Sequence, residues 1–277
     1  MLMIDLHCHS HFSDGKLSPE ALIDKALESN VQILALTDHD TVAGLKSLHE
    51  AASNHPIQII NGIELSTRWK KYDIHIIGLN IEPENEELVR LIKQQSESRI
   101  NRALEIAEKM RLCGLENAYE KACELAGHRR VGRPHFAQVL INEGLASDMQ
   151  SAFKRYLARG RPAYIPTPWI SVPEAVQGII AAEGQAVIAH PLKYKLTRTK
   201  LQTLISEFKE AGGTGMEVIS GEMTTTQIQE MVGLCMRYQL LASTGSDYHG
   251  DTLSRIPLGR QQQLPLNCMP VWQQWIR

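Results

Sequence analysis

Seven short apolar runs recur along the chain, with polar or helically periodic stretches between them. They cover residues 2–6, 33–36, 57–60, 74–79, 186–189, 215–219 and 240–242. Runs of four to eight residues that are apolar at nearly every position are typical of strands buried on both faces of a sheet. The pattern therefore predicts seven buried strands.

Helical periodicity fills several of the intervals between these runs. Residues 19–29 follow Ser18, a plausible N-cap, and residues 172–183 carry Pro173 near the first turn. Alternation of buried strands and helices predicts an α/β fold with a largely parallel sheet, either open or closed into a barrel.

The stretch from about residue 88 to residue 160 breaks the alternation, because it contains helical periodicity and no convincing strand. We expect an inserted all-helical subdomain at 89–161 and a barrel built from 1–88 and 162–277. Residues 90–161 hold 14 Lys and Arg against 8 Asp and Glu, a net +6, whereas the remainder carries −8. A basic cap over an acidic site would suit a substrate with several phosphates, but a solvated helix surface has the same composition.

Overall composition is that of an ordinary globular protein, with 43% hydrophobic and 22% charged residues and a net charge of −2. Five cysteines without a CxxC pair suggest neither disulfides nor a Cys-rich zinc site.

Asp5 and the histidines after it interrupt the apolar start, and no apolar run approaches the length of a bilayer span. We expect a cytoplasmic protein without a membrane segment.

Histidines and carboxylates cluster within or just after the predicted strands. The segments are DLHCHS followed by Asp14, TDHD, Glu64 after the third run, His75 in the fourth, AHP and SDYH. Because ligands collect at the carboxyl ends of strands in barrels and parallel sheets, these side chains can converge on one mouth. A single histidine near a strand end is more often structural, but six such placements argue for a shared site.

The candidate ligands exceed the number that one ion needs. They are His7, His9, Asp14, His39, Glu64, His75, His190, Asp247 and His249. Imidazoles and carboxylates without cysteine clusters suit Zn, Mn or Fe.

Cys8 is expected to point away from its two neighbouring histidines on a strand. His11, Asp5, Asp38 and Asp40 are expected to support the ligands rather than bind metal.

The ordered set DLHCHS, TDHD, Glu64, His75, AHP and SDYH resembles the polymerase and histidinol phosphatase (PHP) superfamily over residues 5–249. The helical insertion and the GRPH stretch resemble the branch with bacterial nucleoside 3′,5′-bisphosphate phosphatases and 5′-to-3′ exoribonucleases of the RNase AM type. This resemblance implies a distorted (β/α)7 barrel, a TIM-like fold, with two or three divalent ions, Mn²⁺ before Zn²⁺ or Fe²⁺.

The resemblance also implies how the ligands are shared. His7, His9, Glu64 and Asp247 would hold the first metal, Glu64 would bridge to a second metal on His75 and His190, and Asp14, His39 and His249 would hold a third. Some relatives have histidine near the position of Asp14, which leaves the third metal uncertain. Asp14, His39, Glu64, His190 and His249 are in addition the candidate catalytic residues.

Two close metals would activate a bridging hydroxide, and the sequence contains no GxSxG or P-loop that would supply a rival chemistry. The best candidate for binding substrate phosphate is Arg130, Arg133 and His135 at the start of a predicted helix. Basic residues that close a helix–helix turn would look the same.

The sequence predicts a metal-dependent phosphoesterase that removes the 3′-phosphate from 3′,5′-bisphosphonucleosides and trims short RNA from the 5′ end. The expected partners are a nucleotide or short RNA, without a membrane or an obligate protein partner. Histidinol phosphate phosphatase and a non-catalytic metal-binding module are the alternatives. The basic insertion argues against the first, and nine metal-competent side chains argue against the second.

Overall fold

The computed structural model describes residues 2–275 and divides into two compact units. One unit joins the chain up to Ile92 with the chain from Ile170 onward, and the other spans Lys93–Trp169. None of the helices in the described part combines the length and apolar character that a membrane span requires.

The first unit is built on one mixed sheet. Its strands are β1 (Ile4–Asp5), β2 (Ile33–Leu36), β3 (Gln58–Trp69), β4 (Tyr72–Leu79), β5 (Ile170–Ser171), β6 (Gln185–Ile188), β7 (Gly215–Ser220) and β8 (Leu241–Gly245). They are ordered β1-β2-β3-β4-β6-β7-β8, and β5 pairs with β3. Leu6 N donates to Thr244 O at 3.1 Å, and Cys8 pairs with Tyr248 just beyond the strands, which nearly closes the sheet into a barrel.

The expected α/β barrel is confirmed, but the sheet is less parallel than its apolar strands suggested. β4 runs antiparallel to both β3 and β6. Only Lys70 and Lys71 separate β3 from β4, and a parallel pair needs a crossover of a dozen or more residues. β3 is also much longer than the predicted residues 57–60, so Glu64 lies within a strand and not after one.

Helices connect the strands and fill the second unit. They are α1 (Pro19–Glu28), α2 (Leu45–Ala52), α3 (Glu86–Leu112), α4 (Ala118–Ala126), α5 (Arg133–Asn142), α6 (Met149–Ala152), α7 (Val172–Ala181), α8 (Arg198–Glu210) and α9 (Thr225–Arg237). Ser18 caps α1 by accepting from Ala21 N, as its sequence predicts. Ser171 and Glu174 form a capping box at α7, which fixes where this helix begins.

Each unit has its own apolar core. In the first unit α7, α8 and α9 pack on the sheet through fully buried side chains such as Val176, Phe208 and Met231. In the second unit α3 to α6 and a π-helical turn at Phe153–Leu157 enclose Phe136. Burial of about 100–150 Å² of apolar side chain contributes roughly 2–3 kcal/mol per residue, which is what holds these helices in place.

Candidate metal centre

All nine candidate ligands lie in the first unit, and their side chains meet at one end of the barrel. His7 and His9 follow β1 with Cys8 between them, so the strand alternation directs both imidazoles inward and the thiol outward. The Cys8 thiol donates to Ala35 O at 3.3 Å on the other side of the strand. Asp247 N donates to His7 O at 2.8 Å, which brings the chain after β8 alongside the two histidines.

Glu64 lies at the middle of the cluster and its side chain is 1% exposed. Its Oε1 atom is 3.0 Å from His75 Nδ1 and 2.9 Å from His190 Nε2. Its Oε2 atom is 2.9 Å from His39 Nδ1. One carboxylate therefore reaches imidazoles from three different parts of the sheet, after β2, within β4 and after β6, which is the geometry expected of a bridging ligand.

A second group joins the two histidines after β1 to Asp247. His7 Nε2 and His9 Nε2 lie 3.1 Å apart, and each is 3.4 Å from Asp247 Oδ1. Asp247 has φ +54, a left-handed conformation that is uncommon for a residue other than glycine. Such strain concentrates at functional sites, where the surrounding structure holds it in place.

A third group gathers around Asp14. Its Oδ1 atom is 3.3 Å from His249 Nε2 and 3.9 Å from both His39 Nε2 and His9 Nδ1. The rings of His9 and His249 stack with centroids 4.1 Å apart. These four residues offer ligand atoms within 4.8 Å of one another.

The grouping by distance differs from the arrangement that the family resemblance implies. Glu64 groups with His7 and His190, and separately with His39 and His75. His75 and His190 nevertheless have ring centroids 5.2 Å apart on either side of Glu64 Oε1. The structure thus brings every predicted ligand to one mouth, while their division among individual ions stays a prediction.

Electrostatics keep the carboxylates of this site ionised. Burial alone would raise the pKa of Glu64, but the surrounding histidines hold that pKa well below its usual value. Burial also opposes ionisation of Asp14, yet His39 and His249 hold its pKa well below normal. Burial and the neighbouring His249 lower the pKa of His9 to about 3, so this imidazole is neutral at pH 7. Neutral imidazole is the form that binds metal.

A divalent cation fits this donor set. Two buried carboxylate oxygens, Asp14 Oδ1 and Glu64 Oε2, accept no hydrogen bond within the described structure. When His7 Nδ1 carries a proton, it donates to Glu217, and the lone pair of Nε2 then faces Nε2 of His9. Lone pairs and anionic oxygens that converge in a buried site are stabilised by a cation.

Glu217 was missed by the sequence analysis, which read residues 215–219 as an ordinary apolar run. It is 1% exposed on β7, where Oε1 lies 2.9 Å from His7 Nδ1 and Oε2 accepts from His190 N at 2.5 Å. A carboxylate bonded to the outer nitrogen of a ligating histidine fixes the orientation of its ring. The signal was present, because a lone glutamate inside a buried strand needs a polar partner.

Replacing Glu217 by glutamine should weaken metal binding. The amide NH₂ would face either the His190 backbone N–H, which repels it, or His7 Nδ1. In the second case Nδ1 accepts only when the ring proton sits on Nε2, the nitrogen that must be free to bind metal. We expect the Kd for Mn²⁺ to rise about 10- to 100-fold, measured by isothermal titration calorimetry. Glu230→Gln, on the exposed face of α9, is the matched control. An unchanged Kd in Glu217→Gln would show that this carboxylate does not position His7.

Three buried aspartates hold the loops that carry the ligands. Asp5 accepts from the backbone N–H groups of His7, Ser246 and Gly259. Asp38 accepts from Ser10 N at 2.8 Å. Asp40 and His11 are likewise outside the clustered ligands. Asp40 accepts from Ser66 N, and the His11 ring stacks on Phe12.

Arg130, Arg133 and His135 lie in the second unit, at the start of α5. Gly132 is the N-cap, and its N–H donates to His135 Nδ1 at 3.0 Å. The His135 ring also meets that of His128 edge to face, with centroids 5.7 Å apart. The structure describes these residues as part of the helical unit, and their role in binding phosphate stays a prediction.

The chain matches known proteins over most of its length. The PHP domain family matches residues 5–165. A 5′-3′ exoribonuclease of Haemophilus influenzae is 40% identical over 98% of this chain and 98% of its own length. A 3′,5′-nucleoside bisphosphate phosphatase of Chromobacterium violaceum is 37% identical over 99% of this chain and 96% of its own. An amidohydrolase structure from Chromobacterium violaceum, solved with bound sulfate and without metal, superposes with a TM-score of 0.93 at 37% identity and covers 98% of this chain and 95% of the other.

Proposed function

Because the chain belongs to the PHP domain family, we propose that it hydrolyses phosphate esters of nucleotides with the help of bound divalent metal ions. The observation that carries the proposal is the buried Glu64 carboxylate, which contacts histidines carried by separate strands and the loops after them, while Asp14 and Asp247 complete the groups on either side. The preferred substrates are 3′,5′-bisphosphonucleosides such as adenosine 3′,5′-bisphosphate (pAp), and short RNA trimmed from its 5′ end. Relatives that match nearly the whole chain carry both activities in their names.

Two or three ions, Mn²⁺ before Zn²⁺ or Fe²⁺, fit the nine ligands, with Glu64 shared between two of them. Bound divalent ions would lower the pKa of a coordinated water and offset the charge on phosphate oxygens. In the reaction a water oxygen forms a bond to phosphorus, and the bond between phosphorus and the 3′ oxygen breaks. The 3′ oxygen takes up a proton and leaves as a hydroxyl group.

Side-chain exposure indicates how phosphate reaches the site. The His7 and His9 side chains are fully buried, whereas those of His39, His75 and His249 are 13%, 25% and 22% exposed. The substrate phosphate therefore approaches from the side of the partly exposed histidines, while His7 and His9 hold metal on the buried side of the site. Buried ligands exchange little with solvent, so this pair keeps its orientation between turnovers.

Arg130, Arg133 and His135 would bind the 5′-phosphate of the substrate. Two guanidinium groups, each of which can donate two parallel hydrogen bonds, suit a phosphate dianion. An enzyme that holds the 5′-phosphate in this way acts on the phosphorus attached to the 3′ oxygen of the same nucleotide. The same recognition of a 5′-phosphate would suit both pAp and the first nucleotide of an RNA chain.

The proposal is tested by phosphate release from pAp, 3′-AMP and 5′-AMP with Mn²⁺-loaded protein. We expect pAp to be hydrolysed at least tenfold faster than either monophosphate, because only pAp offers both the 5′ anchor and the 3′ ester. Malachite green detection measures the released phosphate, and EDTA should abolish it. Equal rates on the three substrates would remove the bisphosphate specificity, and inactivity on all of them would remove the phosphatase function.

A further inference from the structure

A run of cations leads directly away from the candidate metal centre. Residues 191–200 connect β6 to α8 and contain Lys193, Lys195, Arg198 and Lys200 but no Asp or Glu. All four side chains are exposed, and the run begins immediately after His190. Lys193 pairs with Asp247. Within residues 2–275, no ion pair with a carboxylate is formed by Lys195 or Arg198.

A cavity of about 410 Å³ lies beneath this run and reaches the metal centre. His190, Lys193, Lys195, Ser220, Met223 and Arg255 are on its wall. Ser220 is 8% exposed, and its buried Oγ atom makes no hydrogen bond within the described structure. The volume falls in the range of small-molecule pockets, and the buried hydroxyl offers a polar contact to a bound group.

The carboxylates near this cavity are already engaged. Glu217 is held by His7 and by the backbone N–H of His190. Glu222 lies 3.3 Å from Arg255. Lys195 is therefore the cation on the cavity wall that forms no ion pair with a carboxylate within the described structure, which favours an anionic occupant.

The far end of the run meets an aromatic surface at the β3–β4 hairpin. Lys200 Nζ donates to Tyr72 OH at 2.9 Å and lies 5.4 Å from the centre of its ring. The half-buried Tyr72 ring also stacks on Trp69, with centroids 6.0 Å apart. Cations beside an aromatic ring are typical of surfaces that bind single-stranded nucleic acid.

We propose that this cavity and the cations of residues 191–200 bind the part of an RNA substrate that lies 3′ of the scissile phosphate. This inference rests on the proposed function. In pAp the reacting phosphate carries one ester bond, but in RNA it carries a second, to the 5′ oxygen of the next nucleotide. That substituent needs space beside the metals, which the cavity provides.

The chemistry is the same for both substrates. The water oxygen bonds to phosphorus, the bond from phosphorus to the 3′ oxygen breaks, and the 3′ oxygen leaves with a proton. The phosphate keeps its ester to the next nucleotide, so the shortened RNA carries a new 5′-phosphate. This product can move one step and bind as the next substrate, while residues 191–200 hold the remaining strand.

The test compares the wild type with Lys195→Ala/Arg198→Ala/Lys200→Ala on pAp and on 5′-phosphorylated oligoadenylates of two, five and ten nucleotides. We expect pAp hydrolysis to stay within twofold, and KM for the ten-nucleotide RNA to rise about tenfold at 100 mM salt. The slope of log KM against log salt should fall by about 2, since three phosphate contacts on a single strand contribute about 0.7 each. The control removes three exposed cations elsewhere, in Lys46→Ala/Arg237→Ala/Arg260→Ala.

A binding arm separates this inference from the proposed function. Fluorescence anisotropy with a 3′-labelled, 5′-phosphorylated decaadenylate in EDTA measures binding without turnover, and the triple variant should bind about tenfold more weakly than the control. If the wild type hydrolyses neither pAp nor RNA but the triple variant still binds RNA more weakly, the proposed function is rejected and the RNA-binding surface is supported. The inference would be overturned if the triple variant lost activity equally on pAp and on RNA. It would also be overturned if the triple variant hydrolysed and bound RNA as well as the control variant does.

Discussion

Glu64→Gln should abolish hydrolysis, with kcat/KM on pAp reduced on the order of 10³-fold. In the wild type, the two carboxylate oxygens of Glu64 lie within 3.0 Å of ring nitrogens of His39, His75 and His190. This carboxylate is therefore placed to bind two ions. Glutamine keeps the shape of the side chain but supplies one weak oxygen ligand and an NH₂ group that repels a cation. Two metal sites lose a ligand and a negative charge at once.

The loss should appear in metal content as well as in rate. Mass spectrometry of the purified variant is expected to find fewer bound ions per chain than in the wild type, while circular dichroism shows an unchanged fold. Glu50→Gln, whose side chain is 68% exposed on α2, controls for the substitution itself. A Glu64→Gln variant with full metal content and near wild-type kcat/KM would contradict the assignment of Glu64 as the bridging ligand.

Gly245→Ala is expected to lower both thermal stability and metal affinity. A Cβ atom at this position, at the end of β8, would lie 2.2 Å from His7 Cβ, 2.9 Å from His7 N and 3.0 Å from Glu217 Oε1. The backbone of His7 must move to relieve that overlap, and the ring moves with it. Overpacking of this kind costs about 3 kcal/mol.

For a chain of this size the change corresponds to a fall in Tm of roughly 5 °C, measured by differential scanning calorimetry on metal-free protein. Gly233→Ala provides the control, because a Cβ added there meets nothing within 4 Å on the exposed face of α9. Alanine is also the better helix former, so the control should be slightly more stable than the wild type. Equal Tm values for the two variants would show that the contact between Gly245 and His7 is not tight.

The strands and the candidate ligands could be predicted because both depend on local sequence. Each apolar run is a buried strand, and strands buried on both faces read as continuous hydrophobic stretches. Functional side chains at strand ends follow these runs directly, as in the segments that end at His39 and His190. The period-2 geometry of a strand was sufficient to separate His7 and His9 from Cys8.

The direction of β4 and the role of Glu217 could not be read in the same way. A strand has the same apolar pattern whichever way it runs, so only the two-residue connection at Lys70 and Lys71 distinguishes a hairpin from a crossover. Glu217 reaches His7 from 210 positions away, and such a contact leaves no local signal beyond a charged residue in an apolar strand. The cavity beside His190 could not be predicted from the sequence either, because residues from separated loops form its wall.

By itself, the sequence determined where seven of the strands lie and which imidazoles and carboxylates are available as ligands, because side-chain chemistry and periodicity act over a few neighbouring positions. Closure of the sheet was decided only in the tertiary structure. It sets distances such as the 2.9 Å between Glu64 and His190, which are 126 positions apart, through the packing of whole strands. Those distances are what the proposed sharing of one carboxylate between two ions requires.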